Sequence, residues 1–399
     1  MKKLFTLFNI MIAAVVAAAG FVDEKPEKYW DIDLLKIKPE YREAPFAESK
    51  ADGLQALLVK GFGPAKGDKS WQGNNPSPLS KRTRAEFFAY MGFPSTPAPK
   101  GGFPAVVLIH GGGGTAYVQF VKHWISKGYA VIALDWYNQR PVLDNPKAAA
   151  NSSKRIPLEG GRRQDHVSNV ANMIMAHSVL RSQANVNPEK TAFVGLSWGS
   201  WYGAMVAALD NRFKGGVEIY CGDISNTKQF INGRFHHAVK IPLYWVVSTN
   251  DQNMTVASIT KAFKKCPTTY NRSIVINLPH AHVGFLFDSC QRMVSHFVNG
   301  TANLPKLSDI KVKDGIASAE ILDKGKGIQK AVLCYTDSNE KYHKRKWQQL
   351  NAEIKGNTVS AKIPEGAHSY YLSVFDGNGR FKDLCGSTDV VVLPIAGKK

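Results

Sequence analysis

The tightest constraint on how this chain can fold is Gly195-Leu196-Ser197-Trp198-Gly199, set directly behind the run Thr191-Ala192-Phe193-Val194. A strand-like run followed by small residues two before and two after a serine marks a strand that turns sharply into a helix. At such a turn a side chain at either glycine position collides with neighbouring backbone. The serine hydroxyl is lifted clear of the sheet, and the next N–H is left free. Downstream, Gly203, Ala204, Ala207 and Ala208 give the helix small residues that can pack closely on a sheet. The five-residue pattern alone is common, so its surroundings decide what it means.

Those surroundings alternate. Up to Pro99, the runs Leu54–Val59 and Ala85–Tyr90 sit between Gly/Pro-rich stretches and predict antiparallel lead-in strands at a sheet edge. Ala105-Val106-Val107-Leu108-Ile109 is continuously apolar, as expected of a strand covered on both faces. Gly111–Gly114, a helical stretch from Tyr117 to Lys127 and a strand at Ala130–Leu134 follow. A polar, basic loop then runs from Asn138 to about Arg163, ahead of an amphipathic helix from His166 to Ser182. Val217–Tyr220, Leu243–Val247 and Ser273–Leu278 read as further strands, and Gln291–Val298 as a last helix. Repeated β-α units predict an α/β fold with a doubly wound, mostly parallel sheet. Past Leu304-Pro305 the helical signal stops. Ala331–Tyr335, Thr358–Ile363, Tyr370–Val374 and Val390–Leu393 predict a C-terminal all-β, sandwich-like module. The expected division is a leader over residues 1–20, an α/β domain over 21–304 and the β module over 305–399.

The leader reads as an export signal. Lys2 and Lys3 precede the apolar stretch Leu4–Val16, and Ala17-Ala18-Ala19-Gly20 offers small residues for cleavage. The stretch is shorter than the ~20 residues a membrane span needs, and no later segment reaches that length. The expectation is an exported chain, periplasmic or secreted, without a membrane span once the leader is removed. The formal charge of +19, or 19 − 2 = +17 once Lys2 and Lys3 leave with the leader, favours anionic surroundings such as an acidic polysaccharide or an envelope surface. The lysines are spread along the chain, however, and a solvated basic surface is the plainer reading. No helix-turn-helix, zinc-finger or RNP pattern accompanies the charge, so nucleic acid is not an expected partner. Cys221, Cys266, Cys290, Cys334 and Cys385 could form disulfides after export; proximity suggests Cys266 with Cys290 and Cys334 with Cys385. None lies in a metal-ligand spacing, and neither metal nor cofactor is expected.

A serine hydroxyl needs a base to accept its proton, and the base needs an acid to orient it. Chain order and strand exits supply candidates for both. Asp251 follows the strand Leu243–Val247, and Pro279-His280-Ala281-His282 follows Ser273–Leu278. His282 is preferred as the base because it stands the usual distance ahead of the next helix. His280, nearer the strand, is the alternative and otherwise lines the pocket. Asp135 and Asp223 also end strands and compete with Asp251 for the acid role. Two N–H donors must face a developing oxyanion, each worth about 3–4 kcal/mol. Trp198 supplies one, and Gly112 or Gly113, in His110-Gly111-Gly112-Gly113-Gly114, the other. That glycine run lacks the Lys-Ser/Thr of a phosphate loop and the spacing of a dinucleotide fingerprint. Trp136 and Trp201 are candidate sugar-stacking rings beside Trp198, Tyr137 and Tyr202. Arg162 and Arg163 in the long loop could meet a carboxylate.

From His110 to Gly300 the chain resembles the α/β-hydrolases labelled acetylxylan-esterase-like, which border dienelactone hydrolases and prolyl-oligopeptidase-type enzymes. The matching stretches include His110–Ala116, Lys127-Gly128-Tyr129-Ala130, Ala133-Leu134-Asp135, Ala176–Ser182, Gly195–Gly199, Asn250-Asp251 and Pro279–His282. Lys344-Arg345-Lys346-Trp347 and Tyr370–Val374 are similar to that group's C-terminal β module. The resemblance implies an exported serine esterase acting on a substituted carbohydrate, with O-acetyl groups as the favoured substrate and uronic-acid methyl esters as a variant. Ser200 departs from the pattern, because such proteins commonly carry a second glycine after the turn. A prolyl-oligopeptidase-like serine peptidase and a non-catalytic carbohydrate-binding protein are the remaining alternatives. The residues before His110 are too few to build the propeller such peptidases usually carry. The sequence leaves the oligomeric state open.

Overall fold

The structure is a computed structural model that describes residues 23–65, 76–144, 154–158, 165–223 and 232–393. The leader and the pair Arg162 and Arg163 lie outside the described residues. The chain lays down β1 (Tyr41–Glu43), β2 (Gln55–Ala65), β3 (Arg82–Gly92), β4 (Phe103–Ile109), α1 (Val118–Ser126) and β5 (Ala130–Leu134). A short ribbon of β6 (Gln139–Pro141) and β7 (Arg155–Pro157) precedes α2 (His166–Arg181), β8 (Val186–Leu196), α3 (Trp198–Leu209) and β9 (Gly215–Ile219). Then come β10 (Leu243–Ser248), α4 (Val256–Lys265), β11 (Thr269–Val275) and α5 (Asp288–Asn299).

Nine of these strands form one sheet in the order β1-β2-β3-β5-β4-β8-β9-β10-β11. Pairing is antiparallel from β1 through β3 to β5, and parallel from β5 to β11. This is the α/β-hydrolase architecture. Both sheet faces are dry: on β4, Val107 and Ile109 enter one core while Val106 and Leu108 enter the other. Strand periodicity sends successive side chains to opposite faces, which is why the run is apolar throughout. Buried residues of α2, α3 and α4 pack in the first core, and those of α1 and α5 in the second.

Beyond Leu304 the described residues form β-strands and one short 3-10 turn, Tyr342–Lys344. One sheet orders β12 (Lys306–Leu307), β14 (Ile316–Asp323), β18 (Thr358–Lys362) and β17 (Glu353–Lys355), with β13 (Lys311–Lys313) beside β14. A second orders β16 (Gln348–Asn351), β15 (Lys330–Thr336), β19 (Ser369–Phe375) and β20 (Cys385–Ser387), with β21 (Val391–Val392) on β19. Ala317, Ala319, Ile321 and Val359 of the first sheet share a core with Leu333, Leu372 and Val374 of the second. The other face of the second sheet, with Val332, Cys334 and Tyr371, joins the α/β core. β20 lies against β11: the Ser387 hydroxyl accepts the Ile274 N–H at 3.0 Å, and Ser273 donates to the Cys385 carbonyl. The otherwise open edge of the parallel sheet is thus covered.

All five cysteines are buried, and none is disulfide-bonded, which corrects the pairing expected from proximity. Cys266 and Cys290 belong to the cores on opposite faces of the main sheet. Cys334 on β15 and Cys385 on β20 are separated by the intervening β19. Two strand spacings, about 9.5 Å, exceed the ~7 Å limit for bridging two Cα atoms.

Candidate active site

β8 delivers Ser197 at the carboxyl edge of the sheet. The backbone there is forced: Ser197 takes φ 54° and ψ −116°, a conformation that L residues rarely adopt. Both flanking glycines are required by packing. A Cβ on Gly195 would run into the Gly199 carbonyl and the Ser200 Cα, and one on Gly199 would land on the carbonyl groups of Ile109 and His110. Ser200 is fully buried, and its hydroxyl donates back to the Ser197 carbonyl at 2.6 Å. The departure noted in the sequence therefore braces the turn and does not face the cleft.

Asp251 follows β10 and is buried; its Oδ1 accepts the N–H groups of Asn253 at 2.7 Å and Met254 at 3.0 Å. Its other oxygen, Oδ2, lies 2.6 Å from His280 Nδ1, and His280 Nε2 lies 2.9 Å from Ser197 Oγ. A carboxylate can only accept, so Nδ1 carries the proton and Nε2 is left to accept from the serine hydroxyl. Serine, histidine and aspartate form one continuous chain of hydrogen bonds. The Tyr220 ring stacks on His280 at 4.5 Å, and its hydroxyl donates to the Pro279 carbonyl, pinning the loop on which the histidine sits.

His280, and not His282, occupies the base position; the sequence preference is corrected. The reason is a strand boundary. β11 ends at Val275, not Leu278, and Asn277 turns the chain with φ 55°. The position facing the serine therefore comes earlier in the loop than the longer strand implied. His282 opens the 3-10 turn His282–Leu286, packs edge-on to Tyr117 at 4.9 Å and contributes to the cleft wall. Burial, with the nearby His110, pushes its pKa down to about 4, so it is a neutral imidazole near pH 7.

The other acids are committed elsewhere. Asp135 accepts Thr115 Oγ1 at 2.5 Å and the Tyr137 N–H at 2.9 Å. Asp223 faces α4, with its own N–H on the Ser258 carbonyl at 3.0 Å and Lys261 Nζ 3.8 Å from Oδ1. The glycine run also sorts itself. Gly113 has spent its N–H on the Tyr137 hydroxyl at 3.1 Å. Gly111 and Gly112 line the cleft, and a Cβ on Gly112 would approach Trp198 Cδ1 to 2.8 Å. Of Gly112 and Gly113, only Gly112 has an N–H without an acceptor among the described residues, and it is left for an oxyanion together with Trp198, whose N–H opens α3 and has no acceptor within the helix.

The cleft above Ser197 has a volume of about 340 Å³, with Trp198, Trp201, Asn253 and His282 among its walls. Trp201 is where the sequence placed it. Trp136 is not: it lies behind the cleft, with its indole N–H on the His110 carbonyl at 2.8 Å and its ring stacked on Tyr137 at 4.1 Å. A burial of this kind follows from the T-shaped contact it makes with Tyr202, which is itself fully enclosed. Two participants were missed. Asn253 carried no motif. Asn250 was noted only as the neighbour of Asp251; its amide donates to the Arg345 carbonyl at 2.7 Å and accepts from Thr249 Oγ1 at 2.5 Å, tying the acid loop to the β module. Among the described residues no group of His, Cys, Asp and Glu side chains converges as metal ligands, and no helix is long and apolar enough to cross a membrane.

The arrangement can activate a hydroxyl nucleophile and hold an oxyanion. The chain is similar to an acetyl xylan esterase from Paenibacillus sp. R4 at 13% identity and a TM-score of 0.44, over 66% of this chain and 91% of that one. Acetyl xylan esterase 1 from Thermoanaerobacterium sp. JW/SL YS485 shares 14% identity at a TM-score of 0.43, over 69% and 96%. A putative dienelactone hydrolase from Klebsiella pneumoniae subsp. pneumoniae MGH 78578 shares 15% at 0.39, over 62% and 99%. No curated protein matches the sequence. The profile of the dienelactone hydrolase family matches residues 87–296, more than half of the 399 residues. This chain belongs to the dienelactone hydrolase family of α/β-hydrolases.

Proposed function

We propose that the protein is an exported serine esterase that removes ester substituents, acetyl groups foremost, from a polysaccharide or oligosaccharide. The observation that carries this reading is the unbroken chain from Ser197 Oγ through His280 to Asp251 at the floor of an open cleft. As Ser197 attacks the ester carbonyl, His280 takes its proton and Asp251 stabilises the imidazolium. The N–H groups of Trp198 and Gly112 hold the oxyanion. His280 then returns the proton to the departing sugar hydroxyl, leaving an acyl-serine. Water, deprotonated by the same histidine, attacks that ester; the acid leaves and the serine is regenerated.

The carbohydrate part rests on the walls of the cleft, where the rings of Trp198 and Trp201 offer apolar faces and Asn253 an amide. Export rests on the leader alone. A second reading, methyl esters of uronic acids, draws on the +19 formal charge, which would gather a polyanionic chain. The test compares wild type and Ser197→Ala on a chromogenic acetate, then on acetylated and methyl-esterified polysaccharides, reading acetate and methanol. The variant should lose about 10⁴-fold or more in kcat. Full activity in the variant overturns the mechanism, and methanol without acetate selects the second reading.

A further inference from the structure

The protein carries a second cleft that is larger than the one above Ser197. A cleft of about 560 Å³ opens where the carboxyl end of β11 meets the second sheet of the β module. Its walls are chemically one-sided. Trp347 and Phe375 contribute rings and Asn277 and Gln349 amides; among the described residues Lys330 and Lys382 are the only charges that line it, and no carboxylate does. Neither lysine has an ion-pair partner among the described residues, and Lys330 instead sits over the Phe375 ring at 6.0 Å. The Trp347 indole N–H is buried and has no acceptor among the described residues, and its ring is held against Tyr371 at 5.5 Å. Rings that stack, amides that bond hydroxyls, and cations without counter-charges are the requirements of one ligand class: a sugar bearing a carboxylate.

We propose that this cleft is an accessory site for a uronate-bearing glycan chain. It lies on the protein's own junction: Asn277 is three residues ahead of His280, and its N–H donates to Thr249, which in turn bonds Asn250 beside the acid. A polymer held there is retained close to the loops that carry the base and the acid. Its role as a tether for the substrate rests on the esterase reading; the binding itself does not.

The experiment titrates full-length Ser197→Ala with galacturonic acid trisaccharide and with xylotriose by calorimetry, then repeats this with Lys330→Ala/Lys382→Ala and with Trp347→Leu added. The uronate trisaccharide should bind, weaken with salt, and lose about tenfold or more in affinity in each added variant; xylotriose should bind at least about tenfold less tightly. Absence of uronate binding, binding unchanged by the lysine pair, or equal affinity for xylotriose overturns the proposal. The lysine pair placed in the wild-type chain should leave chromogenic acetate hydrolysis unchanged, which shows that the fold is intact. Failure of the esterase reading would appear there, as no hydrolysis by wild type, and not in the titration.

Discussion

Around Ser197 the chain is held by its own backbone, whereas around His280 and Asp251 it is held by groups that arrive from elsewhere in the sequence. The serine turn needs two glycines and a positive φ, all within Gly195–Gly199, and packs on the carbonyl groups of β4. The base loop leans on Tyr220, and on Trp124 of α1, whose indole N–H donates to the Phe285 carbonyl at 3.1 Å. The acid loop is tied through Asn250 to residue Arg345 of the β module. Locally determined geometry is compact and intolerant; assembled geometry is spread over many contacts and should give way by degrees.

The largest effect that sharpens this contrast is expected on the assembled side, at the chemistry itself. Asp251→Asn would present an amide that can donate to His280 and favour the wrong tautomer, so kcat should fall about 10⁴-fold with KM little changed. A loss under about tenfold would mean that another acid orients the imidazole. On the local side, Gly199→Ala drives a methyl group into the Ile109 and His110 carbonyl groups, which are backbone and cannot swing aside. Activity should fall about 100-fold, with about 1–3 kcal/mol of stability lost in denaturant unfolding. A normal Gly199→Ala enzyme would remove the claim that the turn is intolerant.

Smaller effects test the distributed supports. Asn250→Ala leaves Asp251 its two backbone N–H donors but cuts the link to Arg345, so kcat should drop about tenfold at unchanged KM. The smallest expected change is from His282→Gln. Burial disfavours the charged imidazole and holds its pKa down to about 4, so the ring is neutral through the neutral pH range. The acidic limb of the kcat/KM profile should therefore stay where it is in His282→Gln. Movement of that limb would show His282 titrating in catalysis.

The same contrast explains what could be read from the sequence. The parallel strands and the serine turn were legible because each depends on a local pattern: a doubly buried strand is apolar throughout, and the turn must have glycines. The choice between His280 and His282 was not, because it turned on where β11 stops. Leu278 extends the apolar run, but Asn277 at positive φ ends the strand, and asparagine at that position gives only a weak local signal. α4 went unread although its signal was present: Thr255 caps it by accepting the Ser258 N–H, and Val256, Ile259, Ala262 and Phe263 form its buried stripe. Trp136 and Asn250 belong to a different class. Whether a tryptophan lines a cleft or sits behind it, and whether an amide reaches a carbonyl far along the chain, depends on packing between distant segments.

The central claim is that His280 activates Ser197. The direct measurement is the rate at which a fluorophosphonate labels Ser197 in wild type, His280→Ala and His282→Ala, since labelling reports activation of the nucleophile without a natural substrate. His280→Ala should slow labelling about 10³-fold or more, and His282→Ala should remain within about tenfold of wild type. Slow labelling in His282→Ala with near-normal labelling in His280→Ala would contradict the account.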